Sequence, residues 1–293
     1  PQDSNLQPRD SRAPAFPRGL DYLILRSEPG RGWDVAQCVP EAGLGGRALG
    51  GGRNQQAMYS HGFGCLFLSE VSGMLPDPAR QRALKAALEQ AVAFTVRAQG
   101  RDGGWRYEPN PAYSDVSVTV AHMMALRAAR NAGLFVRKSV VDAGVEYLKS
   151  CQMPDGGFAY TKVGGALQPR ESMFARSAAS LVGLFSAGLY AGPEVERGLR
   201  YVMQFLPVRQ FSTREIPFHH YYYGHYYAAL AMWTAGGNYW AEWFPAVRND
   251  LLAKSRSAPG NVWGDFSHGA AYATAMACIV LQLPNNYLPI LQK

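Results

Sequence analysis

The phrase Gln-x-x-x-Gly-x-aromatic occurs at Gln99-Gly100-Arg101-Asp102-Gly103-Gly104-Trp105 and again at Gln152-Met153-Pro154-Asp155-Gly156-Gly157-Phe158. Each copy follows a helical run with an aromatic residue five places before the Gln (Phe94, Tyr147), and each leads through a short loop into another helical run. A phrase so placed is punctuation between helices. It therefore limits the chain to folds made of repeated helical units.

Set in register, the segments give five copies, opening at Arg18, Gln90, Ala143, Arg197 and Arg248, with Tyr22, Phe94, Tyr147, Tyr201 and Leu252 as anchors. Successive starts are roughly 50 to 55 residues apart, a period that signals a helical repeat array, and the first interval alone is longer. A Gly-rich insertion between Trp33 and Met58 (Gly43, Gly45, Gly46, Gly50 to Gly52) accounts for the excess and reads as an extended loop. Residues 1–17, rich in Pro, Arg, Ser and Asp, read as a tail or linker, which leaves 18–293 as one domain with the insertion near 34–57.

The helices between the marks are of two kinds. Runs near Asp77–Ala98, Arg137–Lys149, Pro193–Phe205 and Tyr239–Lys254 mix charged with apolar residues at i, i+3, i+4 spacing, as helices with one wet face do. Runs near Ala57–Gly73, Asp115–Gly133, Ser172–Tyr190, Tyr221–Ala235 and Ala270–Leu283 are rich in Ala, Ser and Gly and almost uncharged after the first turn, which suits close packing on several sides. Wet and dry helices alternating at a fixed period predict an all-α fold, an α/α toroid with inner helices around an axis and outer helices behind them. Five hairpins are counted, so the ring is either closed at five or an incomplete ring of six. Pro78 and Pro193 fall in first turns of outer helices, Asp115 is an N-cap candidate, and Gly133, Gly192 and Gly236 follow inner-helix ends.

Nearly half the residues, 47%, are apolar, so a large core can be buried. The net charge of +7 is spread along the chain without a Lys/Arg run, which argues against a nucleic-acid partner. Cys38, Cys65, Cys151 and Cys278 show no metal or redox spacing and read as free thiols of a reducing compartment. With no stretch long and apolar enough to cross a membrane and no leader in the sequence as it begins, the expectation is a soluble, cytoplasmic protein.

These residues resemble the QW repeats of squalene–hopene cyclases and of protein prenyltransferase β-subunits, whose pattern is basic/small-G-x-x-aromatic-L-x-x-x-Q-x-x-x-G-x-W. Gln99, Gly103 and Trp105 match its second half, and Gln152, Gly156 and Phe158 match it with Phe for Trp. The copies ending at Trp33 and Trp263 carry Ser27 and Ser257 in place of Gln, and the copy after Tyr201 has lost its rear half. The resemblance runs from about Arg18 to the C-terminus and implies a terpenoid cyclase/prenyltransferase-like toroid. It also implies that the six motif residues are scaffold, the Gln capping helix ends and the ring stacking on it. The cyclases' D-x-D-D acid corresponds to Asp115-Val116-Ser117-Val118, where only the first Asp is kept and Ser117 takes the place of the proton donor. The prenyltransferases' zinc-binding Asp-x-Cys pair is replaced by Gln168-Pro169-Arg170-Glu171-Ser172-Met173, and the G-C-G-E-Q sequence of complement-type thioester toroids is missing as well. No metal and no cofactor are therefore expected.

The richest stretch for function is Phe218-His219-His220-Tyr221-Tyr222-Tyr223-Gly224-His225-Tyr226-Tyr227, entering the fourth inner helix. Aligning the inner helices by their terminal glycines sets His225 opposite His61. Since inner-helix N-termini gather at one end of a toroid's cavity, His61, Asp115, Arg176, His225 and Tyr272 are expected to face a common space. His219, His220, Tyr222, Tyr226 and His268 complete the candidates. Helix N-termini, Arg176 and the histidines would favour an anionic head such as a diphosphate or carboxylate, and the Tyr rings an apolar or cationic body. The functional expectation is a protein that binds or transforms a hydrophobic ligand, isoprenoid included, in its central cavity. The alternatives are an interaction or scaffold module, in which a protein partner or a sister chain covers an apolar edge, and a carbohydrate-active toroid, against which the carboxylate-poor inner helices argue.

Overall fold

The repeat boundaries read from the sequence reappear as helix boundaries in the computed structural model, which describes residues 57–207, 220–257, 260, 262–265 and 268–285. The tail, the first repeat copy with Tyr22 and Trp33, the Gly-rich insertion, His219 and the chain beyond Asn285 lie outside the described residues. Among those described, the inner helices are α1 (Ala57–Glu70), α3 (Val116–Asn131), α5 (Phe174–Ser186), α7 (Tyr221–Ala235) and α9 (Gly269–Gln282). The outer helices are α2 (Pro78–Arg97), α4 (Lys138–Ser150), α6 (Pro193–Met203) and α8 (Gly237–Ser257). A two-residue Gly turn and a short antiparallel hairpin, β1 (Thr161–Val163) with β2 (Ala166–Gln168), form an element that the repeat pattern does not announce. The fold is all-α apart from this hairpin.

Each inner helix packs on the next, α1 on α3, α3 on α5, α5 on α7 and α7 on α9, while each outer helix packs behind its own inner helix and the one that follows. Small residues let the inner helices approach. A Cβ on Gly62 of α1 would stand 3.1 Å from the Ala121 side chain of α3, and one on Gly183 of α5 would stand 2.7 Å from Leu148 of α4 and 3.0 Å from Val120 of α3. Nothing larger fits at the same helix separation. Helix starts follow local chemistry: Asp77 accepts from Ala79 N–H (2.8 Å) ahead of Pro78, and Asp115 accepts from Val118 N–H (2.9 Å) ahead of α3. α5 begins after Met173, which gives no such bond.

The two repeat phrases do the same work one hairpin apart. Gln99 Nε2 donates to Gly103 O (2.7 Å) in its own loop and to Val140 O (2.9 Å) in the first turn of α4. Gln152 Nε2 donates likewise to Gly156 O (3.0 Å) and to Glu194 O (2.8 Å) in the first turn of α6. Each Gln therefore pins its loop to the next outer helix, at first-turn carbonyls rather than at a helix's unpaired last ones. The rings, both fully buried, run under those same helices: a Cβ on Gly144 would be 3.5 Å from Trp105, and one on Gly198 would be 3.5 Å from Phe158. The Trp105 ring stacks on His122 (5.3 Å between centroids), and its indole N–H donates to Thr95 O (2.8 Å). Burying a ring of this size contributes about 2–3 kcal/mol. Asp102 and Asp155 are more than turn residues, since Ser114 donates to the first through N–H (2.8 Å) and hydroxyl (2.6 Å), and the Ser172 hydroxyl to the second (2.5 Å).

Gly103 and Gly156 are the tightest points of this junction. Their φ angles are +93° and +91°, and a Cβ would lie 2.4 Å from Ala143 O and 2.5 Å from Arg197 O. Gly133, with φ +85°, has open space where its Cβ would go. Gly133→Ala is expected to cost only the backbone penalty, about 1–2 kcal/mol, whereas Gly103→Ala adds the displacement of α4 and is expected to cost about 3–5 kcal/mol in all. Urea unfolding of the two variants side by side measures the difference, and equal costs would mean that the loop does not seat on α4 this closely.

Candidate ligand site

The start of α3 is where polar side chains gather without enough partners. Asp115 is extended (φ −126°) and bridges the backbone of Trp105 on one side and of Thr161 on the other, so that its side chain is fully buried. One carboxylate oxygen caps α3 through Val118 N–H, and the other, Oδ2, has no hydrogen-bond partner. Burial pushes this carboxyl up to about 6, against the backbone N–H groups of Val118 and Ser117, the nearby Arg106 charge and the Tyr160 hydroxyl, which pull it down. Arg106 follows the motif's Trp105. Its guanidinium lies over the ring of Tyr113 (4.4 Å) and near that of Tyr107 (5.3 Å), and its Nη1 is buried without a partner. The hydroxyls of Tyr107 and Tyr160 are joined by a short hydrogen bond.

From α7, Tyr223 and Tyr227 bring two more buried hydroxyls that complete no hydrogen bond. Tyr59 of α1, Ser117 of α3 and Tyr227 come closest to the Tyr223 hydroxyl, and burial is the first cause of its raised pKa. Tyr59 is raised well above the ordinary phenol value by burial and by the neighbouring Tyr223 and Tyr227, with Tyr272 of α9 also in reach. Side chains from four inner helices thus share one neighbourhood, and its phenols stay protonated.

The residues expected to face this space divide. Asp115 and Tyr272 are there. His61 turns to the outer layer: its Nε2 donates to Ala91 O of α2 (3.2 Å), with Thr95 Oγ1 at 3.1 Å, and its ring packs on Phe94 (5.1 Å) and His122 (5.9 Å). His225 is wedged among Phe174, Tyr221 and the buried Trp243 of α8, with neither ring nitrogen bonded. Arg176 is committed to backbone, donating to Phe158 O (2.9 Å) and Glu171 O (2.6 Å). Tyr222 and Tyr226 are buried, Tyr222 edge-on to Tyr221 and Tyr226 against Tyr227. His220 is exposed at the start of α7, and His268 pairs with Asp265 (3.0 Å) and lies against Tyr272. The helix-end alignment could not show which way a ring turns about its helix, and that is what separates the histidines from Asp115.

Arg106, Ser117, Tyr59, Tyr223 and Tyr227 belong to the neighbourhood and were absent from the expected set. A signal for the first was available in the repeat itself. Arg106 stands where the next copy has Ala159, and Asp115 stands where it has Met173, as the matched roles of Ser114 and Ser172 show. Positions where copies of a repeat differ chemically are those the scaffold does not dictate.

The buried imidazoles give the fold a pH dependence. Burial lowers His61 to about 4 and His225 to about 3, and holds His122 well below its ordinary value. The unfolded chain therefore binds more protons than the folded one from about pH 6.5 downward, so stability falls on acidification through that window. Asp115, raised rather than lowered, acts in the opposite sense between its ordinary value and about 6. Three imidazoles outweigh one carboxyl. The fold should weaken below about pH 6.5, and His225→Phe should flatten the decline by up to one proton, about 1.4 kcal/mol per pH unit. Urea midpoints between roughly pH 4.5 and 7 provide the check; an unchanged slope would mean that His225 is not held neutral.

No family model matches the chain. A stretch of 156 residues, 51% of the chain, is 27% identical to lanosterol synthase of Candida albicans, of which it spans 20%. The matched stretch is thus about a fifth of that relative's length. A crystal structure of a protein from Actinoplanes is similar over 92% of this chain and 74% of its own, with a TM-score of 0.57 at 19% identity, a likeness of fold alone. Over half its length, the chain is a distant relative of a terpenoid cyclase.

Proposed function

We propose that the chain forms an α/α toroid that binds or transforms a hydrophobic ligand, isoprenoid included, in the space enclosed by its inner helices. The observation that carries this is a partly exposed aromatic stripe on an inner face. Tyr59, Phe63 and Phe67 follow one another at i, i+4 and i+8 on α1, and all three keep some exposure. Their face is turned from α2, because Tyr59 stands beside Tyr223, Tyr227 and Tyr272 of α7 and α9. On α9, Tyr272, Met276 and Ile279 are also only partly buried. Apolar side chains that face inward yet remain accessible suit a guest that completes their burial. The distant similarity to a lanosterol synthase supports an isoprenoid-type guest. Asp115 and Ser117 together do not reproduce the D-x-D-D acid, so the reading does not extend to cyclisation started by that group.

A second reading, an interaction module, has its own observation. Met74, Phe135 and Tyr190 are exposed by 61%, 85% and 46%, and each lies in the turn from an inner helix to the next outer one. These turns fall at one end of successive hairpins, where apolar tips would meet a partner.

Thermal unfolding with squalene and with a polyprenyl alcohol separates the two. A ligand at a hundred times its Kd stabilises by about 2.7 kcal/mol, a rise of roughly 5 °C or more for a domain this large. Phe63→Ala, which removes a partly buried ring packed against Tyr59, should lower the ligand-free Tm by a few degrees and abolish the ligand-induced rise measured from that new baseline. Absence of any shift with either compound, together with self-association lost in a Phe135→Ser/Tyr190→Ser double variant, would put the interaction reading first.

A further inference from the structure

Resting on the ligand-binding reading above, we infer that the guest's polar head is a neutral hydroxyl, held between Asp115 Oδ2 and Arg106 Nη1 beside Tyr223. The groups that would have held an anion are spent. Arg176 gives its guanidinium to two backbone carbonyls, and its own stretch of chain needs both bonds. His61 and His225 are uncharged and turned into the layer between inner and outer helices. The start of α3 already has a carboxylate on it, in Asp115.

What remains is a complementary set. Asp115 Oδ2 completes no hydrogen bond, although the Tyr160 hydroxyl stands close to its carboxyl, Arg106 Nη1 lacks an acceptor, and the Tyr223 hydroxyl can serve as donor or acceptor; all three atoms are buried, and Arg106 and Tyr223 are within electrostatic reach of Asp115. Asp115 and Arg106 act on each other across a gap, for neither of these atoms finds its partner in the other. A single hydroxyl satisfies both at once, accepting from Arg106 and donating to Asp115. A diphosphate brings only acceptors, and it would set several negative oxygens against Asp115 with one guanidinium in return. A hydrocarbon leaves all three groups unpaired, a penalty that falls on its affinity rather than on the fold. The head is bound here without any bond being made or broken.

Recognition of the head is a matter of comparison between ligands on the unmodified protein. Geranylgeraniol, geranylgeranyl diphosphate and squalene are titrated against intrinsic tryptophan fluorescence at neutral pH. The alcohol is expected to bind at least ten-fold more tightly than either of the others. Arg106→Met removes the guanidinium that lies over Tyr113 but keeps an unbranched apolar stem, and it should bring the alcohol to the affinity of the hydrocarbon, while leaving the hydrocarbon's own affinity unchanged. If the diphosphate binds as tightly as the alcohol or more so, the head is anionic and the inference is wrong. If alcohol and hydrocarbon bind equally, the polar pair does not read the ligand, although the cavity reading stands. If none of the three binds, the cavity reading fails and takes this inference with it.

Discussion

Two glutamine amides and two missing β-carbons set the geometry of the described helices. Gln99 and Gln152 each reach from the end of one outer helix to the first turn of the next, so the helices are tied by side-chain bonds as well as by apolar contact. The tie works only at close range. Gly103 and Gly156 let the loop backbone come against Ala143 and Arg197, and a methyl group there would push the following helix outward. Once that distance is set, Trp105 and Phe158 fill the space beneath, and the start of the following inner helix is positioned through Thr119 and Ser177, whose hydroxyls receive the backbone N–H of each ring residue. Packing of the inner helices, and with it the place of Asp115, follows from this junction.

Repetition also explains why the site is local. The two copies that keep the Gln satisfy the same junction, which fixes Ser114 with Ser172, Thr119 with Ser177 and Tyr147 with Tyr201, and leaves other positions free. Two of the free positions, occupied by Ala159 and Met173 in one copy, carry Arg106 and Asp115 in the copy before it. The scaffold would accept small or apolar residues at both. Asp115 caps α3 with one oxygen, but its Oδ2 and Arg106 Nη1 are buried atoms that neither the cap nor the repeat junction uses.

The helices were legible because period and composition both report burial: the Ala/Gly/Ser runs became α1, α3, α5, α7 and α9, and the mixed runs became the outer helices with ends within a few residues. The β1–β2 hairpin was not legible, since Thr161 to Gln168 has no alternation long enough to read and is held by pairing with Asp115's strand-like segment. Within the site, residue type misled. Histidine and arginine at helix starts suggested an anion site, but a repeat register fixes height along a helix and not azimuth. His61 and His225 instead pack toward the outer helices, against Phe94 of α2 and Trp243 of α8. Tyr223 and Tyr227, only two and six residues into α7, were hidden among a run of tyrosines of which the sequence could not say which pointed inward.

The orphaned buried groups fall into two sets, and the difference between them bears on function. His122, His225 and Trp243 lie in the layer between inner and outer helices, packed on aromatic rings: Trp105 for His122, Phe174 for the other two. Their unpaired nitrogens are a cost of filling that layer with flat side chains, and the imidazoles limit it by staying uncharged. Asp115, Arg106, Tyr223 and Tyr227 come instead from the start of α3, the loop before it and α7, and all lie in one neighbourhood. A core would reach lower energy by replacing such groups with apolar ones of the same shape, because each unmade bond costs about 1–3 kcal/mol. Groups of opposite hydrogen-bonding sense, supplied by separate elements and left unpaired by the fold, are the observation on which the proposed recognition of a guest's polar end rests.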